Sequence, residues 1–147
     1  MRLQALSIVA VAACLAAVSS GAAPPEASHK VVVNASNPAS SLAREEVARL
    51  FLKKTTTWAS GQTVAPVDLG EDSPVRAAFS KAVLSKDVPT VKSYWQSIIF
   101  SGRGAPPPEK ASEADALAFV RSNANAIGYV AGGTPLGDGV RVLTVGN

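Results

Sequence analysis

The chain has 147 residues, 17% of them charged, with a formal net charge of +3, one cysteine and one histidine. Its basic residues are interspersed rather than clustered, which argues against a nucleic-acid partner, and the lone Cys14 leaves no disulfide framework. His29 precedes the first predicted strand with no second histidine near it, so neither a Ser-His-Asp nucleophile nor a histidine metal site can be assembled. No enzyme and no cofactor are expected.

Residues 1–23 read as a secretory signal: Met1-Arg2 is a short basic start, residues 3–18 are mostly apolar, and residues 19–23 are small and suited to cleavage. The expected location is therefore periplasmic or secreted. Val11-Ala12-Ala13-Cys14 also resembles a lipoprotein processing box, with Cys14 as the lipidated residue. Cleavage after Ala23 leaves about 120 residues, enough for one domain with one core. Within it, residues 24–29 form a polar leader and residues 30–147 the folded domain.

The run K-V-V-V-N at residues 30–34, stopped by N-A-S-N-P, predicts a buried strand. A helix over residues 43–54 follows, with Val47, Leu50 and Phe51 as its buried stripe and acids in its first turn. Residues 55–58 and 63–68 flank Ser60-Gly61 and read as loop, turn and a second strand. The stretch D-S-P-V-R-A-A-F-S-K-A-V-L at residues 72–84 carries the most information. Asp72 or Ser73 caps a helix, Pro74 fits its first position, and Val75, Ala78, Phe79, Ala82 and Val83 form one apolar face.

Arg76 lies in the first turn of that helix, where a cation opposes the helix dipole. With the Ser73 hydroxyl and the exposed N–H groups it supplies the parts of an oxyanion site. The competing reading is ordinary capping, with Arg76 paired to Asp72 or Glu71. Asp68, Glu71 and Asp72 read as solvated carboxylates.

Asp87 caps the next helix, whose apolar side holds Val91, Tyr94, Trp95, Ile98 and Ile99. In F-S-G-R-G-A-P-P-P-E at residues 100–109, Gly102 and Gly104 flank Arg103. Consecutive N–H groups there can turn inward as an anion nest, with Arg103 adding donors. Alternatively, the glycines let the loop clear the proline run, which itself reads as a stiff spacer or a docking strip. Ser112 opens a helix to about Ser122 with Leu117 and Val120 facing inward. Residues 126–131 predict a strand, 132–139 a turn and 140–145 a final strand. Trp58, Tyr94, Trp95 and Tyr129 are expected in or beside the core. Strands alternating with helices imply an α/β layered domain with a mainly parallel or mixed sheet.

Three motifs in series are similar to those of the bacterial phosphate-binding receptors of ABC transporters: V-V-N-A-S-N-P-A-S-S-L-A-R-E-E-V-A-R-L-F-L-K-K-T-T-T-W at residues 32–58, D-S-P-V-R-A-A-F at 72–79 and N-A-I-G-Y-V at 125–130. The resemblance implies a type II periplasmic-binding-protein-like fold over a single lobe, a phosphate or similar oxyanion as ligand, and an ABC transporter permease as partner. It assigns anion contact to Ser73 and Arg76. Pro74 departs from the family's glycine and Val75 from its threonine, each removing a donor, and the family's preceding arginine has no counterpart in V-D-L-G-E. Ala43 stands where the family caps its helix with Thr or Ser. The resemblance extends to shorter relatives with S-G-R-G and a proline run. Two readings follow: an oxyanion receptor using Ser73, Arg76 and Arg103, completed where needed by a homodimer closing two lobes, or a cell-envelope interaction module that kept the scaffold and lost its solute.

Overall fold

The computed structural model describes residues 28–147. The expected signal segment, Cys14 and most of the leader lie outside the described residues. The chain runs β1 (His29–Asn34), β2 (Ser41–Ala43), α1 (Arg44–Phe51), β3 (Ala65–Pro66), β4 (Asp68–Leu69), α2 (Pro74–Phe79), a π-helical continuation (Ser80–Leu84), α3 (Val88–Phe100), β5 (Glu109–Lys110), α4 (Glu113–Ser122), β6 (Ala126–Ala131), β7 (Val140–Val142) and β8 (Thr144–Gly146). His29, expected before the first strand, already belongs to β1.

The main sheet has the order β3-β6-β1-β7. β1 pairs antiparallel with both β6 and β7, and only β3 joins β6 in parallel. The sheet is thus mixed with an antiparallel centre, which corrects the mainly parallel alternative. β1 and β6 are both buried on their two faces, so their side chains form continuous apolar runs instead of alternating ones. Val31, Val33, Ile127 and Tyr129 pack into the cluster that holds Val47 and Phe51 of α1, Phe79 of α2 and Trp95 of α3. Val32, Ala126 and Val130 pack with Leu117 and Val120 of α4 and with Val67. Gly128 makes this second layer close enough: a Cβ there would sit 2.8 Å from Val67 Cγ1 and 3.2 Å from Val120 Cγ2.

Local chemistry sets the helix ends. Ser73, Asp87 and Ser112 each accept a backbone N–H three residues on, at 3.2, 2.8 and 3.1 Å. Ala43 has no side-chain acceptor, and α1 keeps only the return bond, Ala43 N–H to Glu46 Oε2 at 2.9 Å. α1 stops at Phe51, before the predicted Lys54, because the chain turns over at Lys53, whose φ is +53°. The predicted last strand is broken in two. Leu143 is buried between β7 and β8, and its N–H donates to Val31 O, while β8 leaves the main sheet to pair in parallel with β2.

Asn34 explains the turn after β1. Its Nδ2 donates to Val120 O and Arg121 O at the end of α4, while its Oδ1 accepts from Ser36 N–H and Oγ–H. No helix among the described residues is long and apolar enough to cross a membrane.

Candidate functional site

The site begins with two short strands. β4 and β5 pair in parallel with Asp68 opposite Glu109 and Leu69 opposite Lys110. Asp68 N–H donates to Pro108 O at 2.9 Å, so the end of the proline run is tied to β4, and Pro107 is buried. The docking-strip reading of the prolines is corrected to that extent: only part of the run is open. Two acids from distant parts of the chain thereby reach the same guanidinium.

Arg76, only 5% exposed, points into this junction. Its Nη1 donates to Leu69 O at 2.7 Å and to Glu109 Oε1 at 2.6 Å, and its Nη2 lies 3.4 Å from Asp68 Oδ2. Burial works against the charge on Arg76, but the neighbouring Asp68 and Glu109 outweigh it and hold its pKa above the ordinary value. Burial pushes the Asp68 carboxyl up, against the pull of Arg76 and of a hydrogen bond donated by Tyr129 O–H. Burial and Asp68 together push the Tyr129 phenol up as well, so it stays a protonated donor. Tyr129 in turn stacks on Phe79 with ring centroids 3.9 Å apart and planes 6° from parallel. Tyr129 thus ties β6 to α2 by stacking on Phe79 and to β4 by its bond to Asp68, the acid that pairs with Arg76 of α2.

Ser73 is the N-cap of α2, and its Oγ is occupied by Arg76 N–H. The concavity beside it has a volume of about 560 Å³ and is lined by Ser73, Ser112 and three carboxylate residues, Glu71, Asp72 and Glu113. Neither Arg76 nor Arg103 is among its lining residues. Asp72 is exposed and does not plug the helix start, while Glu71 pairs with Lys92 at 2.9 Å in solvent. The expected surface pairing of Arg76 with Asp72 or Glu71 is replaced by the interior pairing with Asp68 and Glu109, and Asp68 is buried rather than solvated.

Gly102 and Arg103 have a different employment from the one expected of a nest. Gly102, at φ +68°, donates its N–H to Ile99 O, and Arg103 N–H donates to Ile98 O. This is the paired closure of a helix C-terminus by a left-handed glycine, so both amides are spent on α3. The Arg103 side chain is exposed, with Nε donating to Ser101 Oγ at 2.8 Å. Gly104 is exposed and lies against Ile98. Beside this corner stand Phe100, 93% exposed, and Ile99, 54% exposed. Ile99 lies at the edge of the Val91–Trp95–Ile98 stripe, which is why the helix turns it outward.

The sequence reading did not find Glu109 or the paired role of Asp68. The one local signal was an arginine placed against the helix dipole, which does require a compensating acid. No cluster of metal-ligating residues occurs among the described residues, and no buried polar side-chain atom there lacks a partner.

These features, a mixed sheet covered by helices on both faces with a capped helix start beside a concavity, define one lobe of a periplasmic-binding-protein-like fold. The likeness extends to solved phosphate receptors. An ABC-type phosphate transport receptor from Vibrio cholerae superposes with a TM-score of 0.63 at 19% identity, over 81% of this chain and 46% of that one. A Clostridium perfringens protein described as a phosphate ABC transporter substrate-binding protein, solved with bound phosphate, gives 0.64 at 19% identity over 81% and 45%. PstS from Borrelia burgdorferi gives 0.63 at 10% identity over 82% and 48%. The chain therefore spans less than half the length of these solved relatives, and at such identities the likeness is one of fold. No family model matches the chain, and no curated protein matches it.

Proposed function

We propose that this chain is a non-enzymatic binding lobe that acts by contact with a protein partner in the cell envelope. The observation that carries the reading is the corner at the end of α3: Phe100, the last residue of the helix, is 93% exposed, three residues before the exposed Arg103 in the turn whose amides close α3. A large apolar side chain on a rigid, charged rim is the composition of an interface anchor. The fitting partner offers an apolar pocket bordered by a carboxylate. The burial of Arg76 supports the same reading, because its donors are already committed to Leu69, Glu109 and Asp68.

A second reading, recognition of phosphate or a similar oxyanion in ABC-type uptake, is favoured by the solved neighbours, one of which holds phosphate. On this chain the helix start at Ser73 faces Glu71, Asp72 and Glu113. Unlike charges attract across such a site and like charges do not, so an anion there needs cations from a second lobe, whether of another copy or of a permease.

Two measurements separate the readings. Calorimetry of the exported chain with inorganic phosphate is expected to give no heat at millimolar concentration. A photo-crosslinker at position 100 is expected to trap one discrete partner in cells, and Arg103→Glu to abolish the product. Phosphate heat that Ser73→Ala removes, with no crosslink, overturns the interaction reading in favour of the receptor.

A further inference from the structure

A partner with an apolar pocket bordered by a carboxylate is what Phe100 and Arg103 call for, and this chain carries such a pocket itself. Between α1 and the loop that follows it lies a concavity of about 320 Å³, room for one aromatic ring. Leu50 and Trp58, both buried, line it, with half-buried Leu42 beside them. Trp58 has its Nε1 committed to Asn125 O at 3.0 Å, so what the indole leaves for a guest is apolar. Glu46 stands on the rim, exposed, one helical turn before Leu50. Its Oε2 accepts Ala43 N–H at 2.9 Å, which holds the carboxylate in place, and its Oε1 has no partner among the described residues.

The corner at the end of α3 complements this pocket. Phe100 brings an exposed ring and Ile99 an exposed flank. Among the described residues Arg103 spends only its Nε, on Ser101 Oγ, so both Nη groups remain to donate. Neither Phe100 nor Arg103 lines the pocket of its own chain, so anchor and pocket are separate patches. The concavity at Ser73 offers three acids to a cation, but Leu69 is the single large apolar residue among its described lining, so it does not suit the ring.

We propose, resting on the interface reading above, that the partner is a second copy of this chain: Phe100 of one copy enters the Leu42–Leu50–Trp58 pocket of the other, and Arg103 pairs with Glu46 there. Arg49, also on the pocket rim, then meets the inserted ring as a cation meets an aromatic face. Each copy carries one anchor and one pocket, so the contact joins unlike patches.

Sedimentation equilibrium of the exported chain is expected to show a mass that rises with concentration. Phe100→Ser and, separately, Ala59→Arg, which puts a bulky cation in the pocket mouth, are each expected to weaken association by about thirtyfold. Mixing these two variants is expected to give a one-to-one pair that neither forms alone, because one intact anchor and one intact pocket remain. Arg103→Glu is expected to weaken association, and Glu46→Lys on that background to restore it. Ala59 is an exposed loop residue, so its variant tests the pocket even where Glu46→Lys, which loses the Ala43 bond, fails to fold. A monomer mass at every concentration, mixed variants that stay apart, or association untouched by Phe100→Ser overturns the self-pairing. If the crosslinker at position 100 then traps a different protein, the interface reading stands without a second copy; if it traps nothing, both fall.

Discussion

Arg76 and Asp68 face each other at 3.4 Å with side chains only 6% and 11% exposed, so neither charge can be relieved by water. Removing one partner of a buried pair leaves the other uncompensated, a loss of about 3–5 kcal/mol. Arg76→Met is expected to fall in that range, and Asp68→Asn on the Arg76→Met background to recover part of it. The pH dependence has a defined sign. Without Arg76 the folded-state pKa of Asp68, already raised by burial, rises further. The folded variant then holds its proton more tightly than the unfolded chain. Its relative stability is best at low pH and is lost as pH rises through the folded value. Urea melts of both variants between pH 4 and about 8 check this; a pH-independent deficit would show that Arg76 acts by packing alone.

Gly102 tests whether the S-G-R-G loop is a cap or an anion nest. Its φ of +68° is left-handed, and its N–H closes α3 on Ile99 O. Gly102→Ala is expected to cost about 1–2 kcal/mol, whereas Gly102→Asn, which tolerates the same conformation, costs less. Both variants are expected to leave anion titrations unchanged. A change in sulfate or phosphate binding without a change in melting temperature would restore the nest.

The parts of the fold legible in the chain are those decided within a few residues. The caps at Ser73, Asp87 and Ser112 and the bounds of β6 follow from side-chain oxygens and a short apolar run. The site was legible only as a conflict: Arg76 sits where a helix disfavours a cation, and that conflict is resolved by Glu109, which arrives through the two-residue β4–β5 pairing. No periodicity marks strands so short. V-R-V-L-T-V likewise alternates as one strand, and only the burial of Leu143 against β1 shows why it divides. The pattern I-I-F-S-G-R did contain the α3 stop signal, a glycine one residue past the cap, which competes in sequence with the nest reading because both need a left-handed glycine.

Gly128 marks the closest approach between β6 and the α4 layer. A methyl group there would stand 2.8 Å from Val67 Cγ1, inside van der Waals contact, and 3.2 Å from Val120. Gly128→Ala is expected to destabilise by about 1–3 kcal/mol through overpacking. Adding Val67→Ala opens the space, so the double variant is expected to be more stable than the sum of the two single losses predicts. Strict additivity in a thermal-melt cycle would place the strain elsewhere.

His29 links stability to mild acid. Its ring meets Phe79 edge to face at 5.7 Å, and burial lowers its pKa below the ordinary value of 6.5. The unfolded chain therefore binds the proton more readily than the folded one. The stabilisation is present above the unfolded pKa and is lost as pH falls through the folded value. His29→Gln is expected to flatten the fall in melting temperature between pH 7 and about pH 5 relative to the parent chain. The comparison of slopes isolates His29 from Asp68, whose raised pKa acts with the opposite sign in both proteins. Equal slopes would mean that the proton is taken up without penalty, and hence that the imidazole is solvated rather than held against Phe79.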